Sequence, residues 1–357
     1  MEHFFRKLHA ILHILILSLS VTLCAVSTVF FIHTKYFPPT PVGPVKIVAV
    51  IPKNPPFDAL LYDYKLMVMA NYASSAASTS KTTPHLWPVQ TGYPNVGAIL
   101  PFSRIIAYYG NMYSKNMGVL GQYPREEMLE RLMKEVKNWH DADPTTPVIP
   151  ALHYIAVTAQ GYPGADKKYR LRMPGSQIDK TIEMARGVGG LVFLDIQVGK
   201  STLEDEIPPL DAYLKMPQVH LGIDPEFSMK TDKKPGAVIG TMDATDINFV
   251  IDHIAQIVRD NHLPPKILVI HRFTQRMVTN FQNIKTVPEV QIVMDMDGWG
   301  PPKNKIKTYI DYVYDEPIEF AGFKLFYKND IIAKGSHLMT PSEVLKLQPR
   351  PMYIQYQ

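Results

Sequence analysis

Three apolar runs in this chain end in polar side chains two residues apart: Leu191-Val192-Phe193-Leu194-Asp195-Ile196-Gln197, His220-Leu221-Gly222-Ile223-Asp224-Pro225-Glu226 and Val290-Gln291-Ile292-Val293-Met294-Asp295-Met296-Asp297. Residues i and i+2 of a strand face the same way. Each pair is therefore expected to project together from a strand's C-terminal end, where a parallel α/β barrel builds its active site. Asp224 and Glu226 form the sharpest pair. On a strand continued to Glu226 their Cα atoms would stand about 6.6 Å apart on one face. Crowding two carboxyls drives their pKa values apart, so that one serves as a protonated acid and the other as an ionised nucleophile or base, as in glycosidases. In the competing reading Asp224 caps the following loop, Pro225 turns the chain, and Glu226 is solvated.

Asp195 with Gln197 and Asp295 with Asp297 follow the same logic on other strands. Asp297-Gly298 is itself a turn signal, so Asp297 divides between site and turn while Asp295 is assigned to the site. His271 ends Ile267-Leu268-Val269-Ile270, and His153 follows Val148 to Leu152. Either imidazole is an acid/base or hydrogen-bonding candidate at the barrel mouth, with a structural role as the alternative. Tyr108, Tyr109, Tyr154, Phe227, Phe273 and Trp299 cluster near the same strand ends. Amphipathic rings beside carboxylates suit a carbohydrate, whose C–H faces stack while its hydroxyls hydrogen-bond. Asp224 and Glu226 are accordingly assigned as catalytic, and Asp195, Gln197, His271, Asp295, Tyr109 and Trp299 as substrate-binding. A metal set of Asp195, Asp224, His271 and Asp295 would draw on separate strands without H-x-H, H-E-x-x-H or Cys/His spacing, so no metal and no cofactor is assigned. There is no G-x-S-x-G elbow and no P-loop. The Lys- and Pro-containing stretch from Phe227 to Gly240 is a long loop suited to a lid or rim.

The elements that must position these groups repeat regularly after Pro101. Strands are expected at 104–109, 147–152, 190–196, 219–224, 266–271, 290–295, 322–326 and 352–356. Six of the seven gaps between them hold a helical pattern, the best at 244–260, where Ile247, Val250, Ile251, Ile254, Ile257 and Val258 form one stripe behind Asp243 or Thr241 as cap. Pro124 to His140 is nearly as regular, and weaker patterns fall at 177–185, 203–214, 303–312 and 341–347. Apolar strands alternating with helices indicate a parallel sheet covered on its outside, and eight of them over about 250 residues indicate a (β/α)₈ TIM-type barrel. The runner-up, a doubly wound sheet, lacks its phosphate fingerprint, because Gly187-Val188-Gly189-Gly190 precedes a strand.

The chain has 357 residues, 46% hydrophobic and 20% charged, which allows one large core or two small ones. Its formal charge of +4 is spread evenly, with no compact Lys/Arg cluster, which argues against nucleic acid as a partner. Cys24 is the single cysteine, so no intrachain disulfide forms. Arg6 and Lys7 precede a run from Leu8 to Ile32 without Asp, Glu, Lys or Arg, long enough to span a bilayer. The expected organisation is an N-terminal transmembrane signal anchor at 1–36, a Pro/Ser/Thr-rich linker with short ordered pieces at 37–102, and the barrel at 103–357. A cleaved signal peptide ending near Ala25-Val26-Ser27 and a lipid-modified Cys24 are the alternatives. All three leave the main domain outside the cytoplasm; the favoured anchor makes this a single-pass protein of the cell membrane.

The ordered block Ile106-Ala107-Tyr108-Tyr109-Gly110-Asn111, Gly118-Val119-Leu120-Gly121, Val148-Ile149-Pro150-Ala151-Leu152, Phe193-Leu194-Asp195-Ile196-Gln197, Gly222-Ile223-Asp224-Pro225-Glu226 and Ile239-Gly240 resembles a family of uncharacterised bacterial secreted or membrane-attached proteins. The resemblance covers about 104 to 357 and implies a barrel outside the cytoplasm; it carries no activity. More faintly, the D-x-E ending a central strand is similar to lysozyme-type and chitinase-type barrel glycosidases, although the D-x-x-D-x-D-x-E signature of chitinases is not present. The expectation is an extracytoplasmic, membrane-anchored barrel hydrolase that acts on a cell-envelope or extracellular glycan, polysaccharide or peptidoglycan. A non-catalytic glycan-binding module is the second reading, and a metal-dependent phosphoester hydrolase the third.

Overall fold

The apolar runs after Pro101 form strands because Val, Ile, Leu, Phe and Tyr fit a pleated surface covered on both sides. The computed structural model describes residues 57–72 and 85–357. Eight barrel strands are present: β1 Arg104–Gly110, β2 Val148–Ala159, β3 Leu191–Ile196, β4 Val219–Ile223, β5 Lys266–Arg272, β6 Val290–Met296, β7 Phe320–Leu325 and β8 Tyr353–Tyr356. Each pairs in parallel with its neighbours, and β1 pairs with both β2 and β8, which closes the barrel. Strand interiors such as Ile105–Tyr109, Val192–Ile196 and Leu268–Arg272 are buried throughout.

Outside the strands lie α2 Arg125–Ala142, α3 Gly175–Gly187, α4 Ala244–Asn261 and α5 Pro302–Tyr309, with α1 Ala59–Ala70 ahead of β1. α4 starts where its pattern requires: Asp243 accepts from Thr245 N and Asp246 reciprocates in a capping box. Its stripe of Ile247, Val250, Ile251 and Ile254 is buried. The single helix expected over 203–214 is broken. Pro208-Pro209 interrupts it, leaving two four-residue turns, Leu203–Glu206 and Asp211–Leu214. The β5–β6 connection, where no helical period is visible, holds two 3₁₀ turns instead. β2 runs to Ala159, beyond the expected Leu152, because its end finds a partner in the antiparallel segment Arg170–Arg172.

Part of the segment read as a linker packs against the N-terminal end of the barrel. α1 buries Tyr62, Leu66, Met69 and Ala70. Arg350 N donates to Met69 O at 2.7 Å, and Trp87, itself buried, donates its indole N–H to Tyr314 O at 3.0 Å. Ile99 N and Leu100 N both donate to Gln291 Oε1, at 3.0 and 3.1 Å, which seals the floor beneath β6. A large aromatic that finds a hydrogen-bond partner holds such a segment down despite its prolines. No helix among the described residues is long and apolar enough to cross a membrane. The apolar run 8–32 with Cys24, and the parts of the expected linker at 37–56 and 73–84, lie outside the described residues.

Candidate active site

The two-residue repeat of each strand builds two layers inside the mouth. β3 carries Asp195 and leads into Gln197, β4 carries Gly222 and leads into Asp224, β5 carries His271 and leads into Phe273, β6 carries Asp295 and leads into Asp297, and β7 carries both Gly322 and Lys324. The second member of each pair lines a cavity of about 560 Å³ at the C-terminal strand ends, together with Tyr109, Glu226, Phe227 and Trp299. The first members lie a layer below, closed off from solvent. This corrects the expectation that Asp195, His271, Asp295 and His153 sit at the mouth. It also reverses the ranking of the β6 pair, since Asp297 lines the cavity and Asp295 lies beneath it.

Glu226 reaches the cavity by a different route from the one its spacing suggested. The strand stops at Ile223, and Pro225–Phe227 form a 3₁₀ turn that Asp224 caps, Oδ1 accepting from Glu226 N at 3.0 Å. Pro225 has no N–H to give a strand ladder, and Asp224 offers the turn a cap. Asp224 Oδ2 accepts from Gln197 Nε2 at 3.4 Å. The turn is pinned from the other side, where Gly240 N donates to Glu226 O at 2.6 Å. A Cβ on Gly240 would lie 2.6 Å from Ser228 O and 2.7 Å from Glu226 O, so only glycine permits this approach. Asp224 and Glu226 thus share the cavity while only Glu226 is left without a backbone to cap. Of the loop from Phe227 to Gly240, Phe227 forms part of the cavity wall and 230–234 are exposed.

Burial, with the nearby Asp297 carboxylate, pushes Glu226 up to about 7. Burial likewise holds Asp224 well above the usual carboxylate range, against the pull of His271. For Asp297 burial opposes ionisation, but Lys324 Nζ at 3.0 Å and His271 Nδ1 at 3.2 Å outweigh it and hold the group below that range. The same ammonium lies 3.9 Å from the centroid of the Tyr109 ring.

The lower layer is a continuous polar network. Tyr109 donates its hydroxyl to Asp195 Oδ2 at 3.0 Å, and Asp195 Oδ1 lies 3.2 Å from His153 Nε2 and 3.4 Å from His271 Nε2. His153 Nδ1 is 2.6 Å from the Tyr353 hydroxyl and 3.1 Å from Gln355 Nε2, which donates to that hydroxyl at 3.0 Å. His271 Nδ1 lies 3.3 Å from Asp295 Oδ2. Burial lowers His153 to about 4 and raises Asp295. Two glycines make room. A Cβ on Gly222 would collide with His153 Nε2 and lie 2.6 Å from Asp195 Oδ1, and one on Gly322 would lie 2.6 Å from Asp295 Oδ1.

Tyr109, Gln197, Asp224, Glu226 and Trp299 of the expected set therefore line the cavity, Trp299 on its rim at 60% exposure. Tyr108 faces the opposite way, its hydroxyl 3.1 Å from that of Tyr327. Lys324, Tyr353 and Gln355 escaped the sequence reading. The available signal was a lone lysine in Gly322-Phe323-Lys324-Leu325, and a fourth i, i+2 polar pair in Tyr353-Ile354-Gln355. The barrel that the resemblance implied is present, while no protein-family model matches the chain and no curated protein matches it in sequence.

Proposed function

We propose that this barrel is a glycoside hydrolase acting on a cell-envelope or extracellular glycan, with Glu226 as the general acid. The observation that carries the reading is a half-buried Glu226 on the wall of a polar cavity, with a pKa raised to about 7 by burial, sharing that wall with the ion-paired carboxylate of Asp297. A carboxyl with a pKa near 7 holds a proton at working pH and can release it to a leaving glycosidic oxygen. Asp297 supplies the negative charge that an oxocarbenium-like transition state, or the attacking water, requires. Asp224, committed to capping the turn, is a positioning residue for Glu226. The remaining wall suits sugar: Phe227, Phe273 and Trp299 offer faces for C–H stacking, and Asn116, Gln197 and Asn304 offer amides for hydroxyls. Lys324 is the one cation on that wall among the described residues and is already engaged by Asp297, which disfavours a phosphoester substrate. The extracytoplasmic setting rests on Arg6, Lys7 and the uncharged run 8–32.

The test is release of reducing ends from peptidoglycan and other envelope glycans by the full-length protein and by Glu226→Gln. The proposal expects hydrolysis by the wild type, lost by about a thousandfold in the variant while glycan binding persists. Binding without hydrolysis in the wild type would make this a binding module.

A further inference from the structure

The network under the cavity floor carries a second kind of chemistry, independent of the hydrolase reading. His153 from β2, Asp195 from β3 and His271 from β5 each offer one donor atom, all within 4.8 Å of one another and wholly buried. Two of the three donor spacings, 3.2 Å from His153 Nε2 to Asp195 Oδ1 and 3.4 Å from His271 Nε2 to the same oxygen, match a tetrahedral ion. Bonds of about 2.0 to 2.2 Å at a tetrahedral angle set donors roughly 3.3 to 3.5 Å apart. We propose that His153, Asp195 and His271 bind a first-row divalent transition-metal ion such as Zn²⁺.

A second observation points the same way. Neither ring nitrogen of His271 makes a hydrogen bond, although both are buried and have carboxylate oxygens within 3.4 Å. In a tetrahedral site each nitrogen axis aims at the ion and misses the neighbouring donor by about 35°. That accounts for His271 Nε2 lying 3.4 Å from Asp195 Oδ1 yet failing to bond it, while His153 Nε2, nearer at 3.2 Å, does hydrogen-bond the same oxygen. The groups behind the ligand atoms are of the kinds that back metal ligands, carboxylates and a hydroxyl. His271 Nδ1 lies 3.2 Å from Asp297 and 3.3 Å from Asp295, His153 Nδ1 lies 2.6 Å from the Tyr353 hydroxyl and 3.1 Å from Gln355 Nε2, and the second oxygen of Asp195 accepts from Tyr109. Gly222 keeps the space beside His153 and Asp195 clear of any side chain. Two imidazoles and one carboxylate suit Zn²⁺, Co²⁺ or Fe²⁺ better than Ca²⁺ or Mg²⁺, which prefer oxygen shells. The set differs from the four residues weighed in the sequence: the layering places Asp224 above this level, Asp295 lies against the far nitrogen of His271, and His153 completes the set.

The test uses full-length protein stripped with a chelator and titrated with Zn²⁺ or Co²⁺ alone, so hydrolysis plays no part in the readout. The expected result is one equivalent retained through gel filtration, a four-coordinate Co²⁺ visible spectrum, and X-ray absorption showing two imidazole nitrogens at about 2.0 to 2.1 Å. His271→Gln and Asp195→Asn should each weaken binding at least 100-fold, and Tyr109→Phe by about 10-fold or more. Spectra of the wild type decide the matter if the variants do not fold. Retention of no metal, or an oxygen-only six-coordinate spectrum, overturns the proposal and leaves the three residues as a buried polar cluster. Undiminished affinity in both folded ligand variants does the same.

Discussion

The ammonium of Lys324 lies 3.0 Å from Asp297 Oδ1, with both side chains almost wholly shielded from water. Removing one member of a buried pair strands the other, at a cost of about 3 to 5 kcal/mol. Lys324→Met is therefore expected to lower stability by that order in urea unfolding. The double variant Lys324→Met/Asp297→Asn should recover more than half of the loss. A single variant within about 1 kcal/mol of wild type would show that the pair is not closed as described.

Gly222 faces His153 and Asp195 closely enough that a methyl group would overlap both. Gly222→Ala is expected to destabilise by roughly 1 to 3 kcal/mol, the range for forced overpacking. His153→Ala added to it should be less than additive, because it removes the obstacle. Full additivity in a double-mutant cycle would contradict the contact.

Trp299 is 60% exposed between Gly298 and Gly300 on the cavity rim. Trp299→Ala should change stability by less than about 0.5 kcal/mol, as surface substitutions do. If the ring stacks on sugar, the same variant weakens glycan binding by about tenfold in calorimetry. An unchanged glycan affinity removes Trp299 from the site.

Glu319 is buried, accepts from Ile292 N at 2.7 Å, and is raised by burial from 4.5 to about 8. The folded protein therefore keeps this proton where the unfolded chain has lost it. The associated stability is fully present below pH 4.5 and lost as pH rises through 8. Glu319→Gln should gain on wild type in urea midpoint from about pH 5 upward, with the difference levelling off above 8. Parallel curves across that range would contradict the burial of an ionisable group here.

The strands were legible because each is a continuous apolar run between turn residues, and α4 because its stripe and Asp243 cap agree. The depth of the site was not. Both faces of a barrel strand are buried, so Phe193 and Leu194 look equally internal beside Asp195, and only the closed register shows which parity points inward. The i, i+2 pairs Asp195/Gln197 and Asp295/Asp297 were visible as pairs, but their order from floor to mouth needed the strand direction. Glu226 reached the cavity through Asp224 and Pro225, a turn whose aim depends on Gly240, fourteen positions away in sequence. The packing of Trp87 and Leu100 against the barrel floor was masked by their proline-rich surroundings.

The most direct test of Glu226 as the acid is the pH dependence of kcat/KM on a glycan that the full-length protein hydrolyses. A free-enzyme acid held at about 7 predicts a descending limb centred there, activity falling as Glu226 loses its proton. Glu226→Gln should abolish the activity to which that limb belongs. A profile flat from about pH 5 to 9, or full activity in Glu226→Gln, would contradict the account.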